Sequence, residues 1–158
     1  MTQDTNGIAV DVDSFVVIKA SEAAVFAVIT DHPGTPNWVK NVNKVTVLKD
    51  GSPHHGKGTI REVDFKPRFW TTVTEEVMTY QKDSHFEYRI VKGMPGLLAH
   101  LGRMELTDQG DGAVRLDWKV HFEFKKMHWF RLFLGSFQKQ FKATQEAGLG
   151  LLKQQLES

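Results

Sequence analysis

From Lys125 to Ser158 the apolar residues of this chain recur at helical spacing. Phe130, Phe133, Phe137, Phe141, Thr144, Gly148, Leu151 and Leu152 fall on one stripe. Arg131, Gln138, Lys139, Lys142, Gln145, Glu146 and Lys153 fall opposite. This i, i+3, i+4, i+7 pattern predicts a long amphipathic helix. At roughly 30 residues it would be a rod about 45 Å long. A rod of that length cannot bury an aromatic stripe by itself, so it requires a broad apolar surface upstream. Gly148 and Gly150 each cost about 1 kcal/mol against alanine in a helix interior, which predicts a close contact or a bend at that point.

Upstream the period changes to two. Val114, Leu116, Trp118, Val120, Phe122 and Phe124 alternate with Arg115, Asp117, Lys119, His121 and Glu123, the mark of a strand with one buried and one solvated face. Leu98, His100, Met104 and Leu106 alternate with Arg103, Glu105 and Thr107, and Phe86, Tyr88 and Ile90 with His85, Glu87 and Arg89. The predicted strands are Val12–Ala20, Val42–Lys49, Lys57–Phe65, Phe69–Tyr80, Ser84–Val91, Leu98–Thr107 and Ala113–Phe124, with Met1–Val10 a frayed start. Lys82-Asp83, Gly93-Met94-Pro95-Gly96 and Gln109-Gly110-Asp111-Gly112 are turn signals. Connections this short make neighbours antiparallel. Between the first two strands, Ser21 stands as an N-cap before Val25, Phe26, Val28 and Ile29. Asp31-His32-Pro33-Gly34 stops that helix, and Thr35-Pro36 starts a second short one carrying Trp38.

Composition narrows the reading. At 158 residues, a single domain spanning 1–158 is expected. The balance of 20 basic and 19 acidic residues, a net charge of +1, leaves no electrostatic footprint for nucleic acid. Cysteine is absent, which removes disulfides and thiolate chemistry and is compatible with the cytoplasm, the expected location. The N-terminus has no apolar signal core, and the stretch around Trp129–Phe137 is too short to span a bilayer.

The element order, together with Ile18-Lys19-Ala20-Ser21 running into Val25-Phe26-Ala27-Val28-Ile29-Thr30-Asp31, then Trp38, Gly58-Thr59-Ile60-Arg61, and Glu75-Glu76-Val77 ahead of Phe86-Glu87-Tyr88-Arg89-Ile90, resembles the START-like, or Bet v 1-like, superfamily (SRPBCC proteins). The likeness is to its polyketide cyclase/dehydrase-like branch and runs from Val12 to Leu156. The resemblance implies an α+β helix-grip fold: a curved seven-stranded antiparallel sheet around a long C-terminal helix, with two short helices after the first strand and an apolar cavity between sheet and helix. Members bind lipids, polyketides, hormones or quinones, and a minority catalyse cyclisation or dehydration. Fold alone does not choose among these.

The inward aromatic set is Trp38, Tyr88, Trp118, Phe122, Phe133, Phe137 and Phe141, joined by Met104. It reads either as ordinary core or as the wall of a ligand cavity. Arg61 is the leading polar candidate. A buried guanidinium needs a partner, and Glu75 or Glu76 on the next strand can supply it; an outward salt bridge is the plainer alternative. His100 is predicted inward, as a general acid/base or as a hydrogen-bonded core histidine, and Tyr88 could donate from the wall. Catalytic candidates are therefore His100, Arg61, Glu75 and Glu76. His54-His55 has no carboxylate close in sequence by this reading, so no metal is expected. No HExxH, GxSxG or nucleotide-binding motif occurs, and no cofactor is expected. Lys125-Lys126-Met127-His128-Trp129-Phe130-Arg131 could touch a membrane surface near Trp129 or simply pack on the sheet with its charges solvated. The leading reading is binding or transport of a small apolar molecule (a lipid, quinone or polyketide-like aromatic). A cyclase/dehydrase-type enzyme and a partner-binding regulatory domain are the alternatives.

Overall fold

Alternation and short turns build a single antiparallel sheet in the computed structural model, which describes residues 7–66, 72–127 and 131–158. The expected start of the fourth strand at Phe69, the membrane-surface contact at Trp129 and the stripe position of Phe130 lie outside the described residues. The strands are β1 (Gly7–Ile18), β2 (Val42–Lys49), β3 (Ile60–Phe65), β4 (Thr72–Gln81), β5 (His85–Lys92), β6 (Leu97–Gly110) and β7 (Ala113–Lys125). Helix α1 (Glu22–Ile29) and a 3₁₀ helix (His32–Asn37) follow β1, and α2 (Arg131–Glu157) ends the chain. The sheet order is β1-β7-β6-β5-β4-β3-β2. This is the helix-grip arrangement: a curved seven-stranded sheet held against a C-terminal helix.

Local chemistry accounts for the connections. The Ser21 hydroxyl accepts from the Ala24 amide at 3.1 Å and caps α1, whose Val25, Phe26 and Ile29 enter the core. The expected helix stop at Asp31–Gly34 and the helix start at Thr35 form one continuous 3₁₀ segment instead. Thr35 Oγ1 donates to the His32 carbonyl at 2.8 Å within it, and Trp38 follows as its C-terminal cap. β1 begins earlier than predicted, because Gly7–Val10 pairs with Lys125–Phe122 of β7 instead of fraying. In β7 the alternating set from Val114 to Phe124 is buried throughout. In β6 the register shifts between Leu97 and Ala99. That irregularity turns Leu98, predicted inward, to 47% exposure, while Leu97 packs against the core. A one-residue slip exchanges faces.

α2 is fastened to the free side of β1, an edge strand whose outer carbonyls require partners. Gln138 Nε2 donates to the Asp11 carbonyl at 2.8 Å, Lys142 Nζ to Asp13 at 2.6 Å and Lys153 Nζ to Val17 at 2.7 Å. Gln145 was predicted on the solvated face but is fully buried. Its Oε1 accepts from Ser14 Oγ at 2.9 Å and its Nε2 donates to the Val12 carbonyl at 3.1 Å, so its polarity is satisfied internally. Leu149 and Leu152 are buried beside it. Phe133, predicted inward, is 59% exposed and Leu132 83% exposed, because the helix buries its stripe only from its middle onward. Gly148 meets the expected close contact: a Cβ there would lie 3.2 Å from the Trp38 carbonyl oxygen. Gly150 has open space around it.

The Gln145 tie is testable. Gln145→Leu keeps the volume but leaves the Ser14 hydroxyl without this acceptor, and it should lower stability by about 1–3 kcal/mol in urea unfolding. Ser14→Ala combined with Gln145→Leu should cost less than the sum of the single changes. An unchanged urea midpoint for Gln145→Leu would remove the tie from the account.

Candidate functional site

The pairing of β3 with β4 sets Arg61 directly opposite Glu75, and Ile60 opposite Glu76. Consecutive residues point to opposite faces, so only one of the two glutamates can meet Arg61 inside. Glu75 does. Its Oε2 accepts from Arg61 Nε at 2.8 Å and lies 2.7 Å from Nη2. The two residues are 8% and 6% exposed. Glu76, an equal candidate in the sequence, turns outward and pairs with Arg89 at 3.2 Å.

The remaining side of the guanidinium is held by His32, a residue the pattern analysis treated only as part of a helix stop. His32 Nε2 lies 3.0 Å from the His55 carbonyl oxygen, which can only accept, so Nε2 carries the proton. Nδ1 is then the acceptor for Arg61 Nη1 at 2.7 Å. Burial foremost, and then the Arg61 charge, push the His32 pKa down to about 2, so the imidazole is neutral at physiological pH. The Arg61 guanidinium carbon also sits 5.0 Å from the centre of the Tyr88 ring, a cation–π arrangement.

Tyr88 is positioned by a second residue that the pattern missed, Gly102. The two are cross-strand partners, and a Cβ on Gly102 would come within 2.2 Å of Tyr88 Cζ. The ring lies over the glycine where any side chain would stand. A lone glycine inside a strand is the signal that could have marked it. The Tyr88 hydroxyl accepts from Trp118 Nε1 at 2.9 Å. Burial, and then the Glu75 carboxylate, raise its pKa, so the phenol keeps its proton. His100 accepts the Ile90 amide on Nδ1 at 3.0 Å, which places its proton on Nε2. Burial, then Arg61, lower its pKa to about 4.

These groups surround a cavity of about 90 Å³ between the inner face of the sheet and α2. Of the residues singled out in the sequence, Trp38, Arg61, Glu75, Tyr88 and His100 line it. Met104, Trp118, Phe122 and Phe141 line it too. Phe137 stands behind, with its ring centre 5.2 Å from Phe122 and 5.9 Å from Phe141. Phe133 is not part of the wall, for the reason given above. Outside the cavity, the sequence reading that no carboxylate lies near His54 and His55 is corrected by Asp50, four residues upstream of His54. Its Oδ1 accepts the His55 amide at 2.8 Å and its Oδ2 contacts His54 Nδ1. Those contacts hold the Asp50 carboxyl below its usual range, the His55 amide contributing most. Asp50, His54 and His55 offer ligand atoms within 4.8 Å of one another, but the carboxylate is already engaged by its own loop.

The model of the family described as polyketide cyclase/dehydrase and lipid transport matches residues 9–157. The chain belongs to that family, within the START/Bet v 1 superfamily. Among solved structures it is similar to the Zhui aromatase/cyclase from Streptomyces sp. R1128 (TM-score 0.74, 16% identity, covering 95% of this chain and 94% of that one). It is also similar to norcoclaurine synthase from Thalictrum flavum (TM-score 0.72, 14% identity, 100% and 94%). A START superfamily protein from Mycobacterium smegmatis gives a TM-score of 0.71 at 14% identity, covering 93% and 97%. At these identities the likeness is one of fold. None of the curated proteins compared matches the chain. No helix among the described residues is long and apolar enough to cross a membrane.

Two predictions follow from the geometry. Glu75→Gln should cost about 3–5 kcal/mol in denaturant unfolding, because it strands a buried cation, whereas Arg61→Met with Glu75→Leu should recover much of that loss. The second concerns acid. An unfolded histidine takes up a proton near pH 6.5, while native His32 and His100 refuse it down to about 2 and about 4. Below pH 6.5 the unfolded state therefore binds more protons, and stability falls as pH falls. From pH 7 to pH 5 the His32 share is about 2 kcal/mol. His32→Gln should flatten the pH dependence of the urea midpoint, and an unaltered slope would contradict the assignment.

Proposed function

We propose that the chain binds a small hydrophobic molecule in the cavity between sheet and α2 and serves as a carrier or binding protein for it. The observation that carries this reading is an apolar-walled cavity with a few oriented polar groups set into it, the usual make-up of a ligand site. Membership of a family described as polyketide cyclase/dehydrase and lipid transport supports it. Trp38, Met104, Trp118, Phe122 and Phe141 supply apolar area, worth about 25 cal/mol per Å² covered. Arg61, Tyr88 and His100 orient the polar end of the ligand.

At about 90 Å³ the cavity is well below the ~300–1,000 Å³ of typical occupied ligand sites. A lipid or quinone therefore enters only if the wall moves. The N-terminal turns of α2, where Leu132 and Phe133 are exposed, bury the least surface and are the part that yields.

A cyclase/dehydrase-type reaction in the same cavity is the second reading, and the proton-bearing Tyr88 hydroxyl and His100 Nε2 favour it. The engagement of both His32 nitrogens and of the Glu75 carboxylate counts against those two as proton carriers. Under this reading His100→Ala abolishes turnover while ligand affinity is nearly kept.

Native mass spectrometry of freshly purified protein, followed by solvent extraction, tests the binding reading. One apolar molecule per chain is expected, either co-purified or taken up from a panel of lipids, quinones and aromatics. Val63→Phe, which fills the cavity, should abolish that uptake. A wild-type protein that neither gains mass nor gains thermal stability across the panel would sink the binding reading and favour a partner-binding domain.

A further inference from the structure

Two buried polar atoms, both on residues of the cavity wall, stand apart from the paired network. Trp38 is 3% exposed, and both it and Asn41 line the cavity. Trp38 Nε1 and Asn41 Oδ1 are buried without a hydrogen-bond partner among the described residues. The contrast with Trp118 is direct, since the same indole donor in the same wall reaches the Tyr88 oxygen at 2.9 Å. Buried polar groups are paired in the great majority of cases, and an exception asks for a ligand or an ordered water. Leaving such a group unmet costs most of its desolvation penalty. The two atoms are complementary: an indole N–H only donates, and an amide oxygen only accepts.

We propose that Trp38 Nε1 and Asn41 Oδ1 form a polar subsite, separate from the Arg61–Glu75 pair, that selects ligands bearing a hydroxyl group. A hydroxyl is the smallest group that can accept from the indole and donate to the amide oxygen. The inference rests on the ligand-binding reading above and sharpens it: the ligand is a hydroxylated apolar molecule, and a plain hydrocarbon of the same shape is discriminated against. A site with polar groups built to hydrogen-bond an OH rejects the analogue lacking it, because those groups are then left unpaired.

The test uses two probes of nearly equal shape, phenol and toluene, titrated into the wild-type protein. Affinity is read by calorimetry, and ¹H–¹⁵N NMR reports the Trp38 indole N–H, assigned by its loss in Trp38→Phe. Phenol is expected to bind roughly tenfold more tightly than toluene or better, in line with one or two buried hydrogen bonds. The Trp38 indole signal should move downfield with phenol and shift much less with toluene. Trp38→Phe and Asn41→Leu should each narrow the gap between phenol and toluene affinity, whatever they do to the binding of both. Equal binding of the two probes overturns the subsite while the binding reading stands; the atoms then hold water only. Tighter phenol binding with an unmoved Trp38 indole signal also overturns it, by placing the hydroxyl at the Arg61 end. Binding of neither probe removes the cavity reading and the subsite with it. The wild-type indole signal decides the question even if a variant fails to fold.

Discussion

The interior of this protein is arranged around one costly act, the removal of the Arg61 guanidinium from water. Desolvating an ion costs several kcal/mol even after relaxation, and a guanidinium presents five N–H donors in a fixed plane. The fold answers with groups from three directions. The β3–β4 register brings Glu75 to one edge, the 3₁₀ helix brings His32 to another, and the Tyr88 ring covers a face. Each partner is held in turn. His32 leans on the His55 carbonyl, and His55 Nδ1 donates to the Thr30 carbonyl at the end of α1 at 2.9 Å. Tyr88 is seated on Gly102 and bound by Trp118. The chain of contacts runs from the sheet through the β2–β3 loop to the first helix, so the polar side of the cavity is braced on several elements.

The opposite wall is built on a different principle. Among the described residues, α2 has no charged partner inside the cavity. It is hung on the edge of the sheet by side chains that satisfy β1 carbonyls, and it packs through Gly148 against Trp38 and through Leu149 and Leu152 against the core. The same contacts that blunt an edge strand also hold α2 over the cavity. Burial is uneven along the helix, deep in its C-terminal half and slight at Leu132 and Phe133. One wall is thus fixed by electrostatics, and the other is graded from anchored to loosely covered. On the binding reading, that division is what would let a small cavity admit something larger.

How much of this was legible in the sequence follows from what periodicity measures. The strict alternation from Val114 to Phe124 and the turn signals between strands report a one-sided burial that every residue shares, so the sheet, its antiparallel order and the long helix could be read directly. Gln145 could not, because hydropathy records that glutamine is polar and says nothing of a hydroxyl and a carbonyl waiting on β1. The choice between Glu75 and Glu76 turns on register parity, which the sequence left open because either glutamate lies on the strand after Arg61. Leu98 went astray through a one-residue irregularity. His32 joined the site through a distant pairing with Arg61, and only the demand of a buried guanidinium for further acceptors pointed to such a group.

The pairing pattern also bears on how such a cavity tells ligands apart. Arg61 and Glu75 are the strongest charges in the wall, and they are turned on each other, Nε and Nη2 of Arg61 meeting Glu75 Oε2 while Nη1 meets His32 Nδ1. A ligand that displaced Glu75 from Arg61 would leave a buried carboxylate unpaired, at a cost comparable to what it gained. On the binding reading, neutral groups share the discrimination with Arg61: the Tyr88 hydroxyl proton, His100 Nε2–H, Trp38 Nε1–H and Asn41 Oδ1. Three are donors and one is an acceptor. On that reading, a wall of this make-up would favour an uncharged, oxygen-bearing apolar molecule over a carboxylate or an amine. An ion would have to be desolvated against partners already taken, whereas a neutral oxygen loses little in leaving water and finds donors waiting.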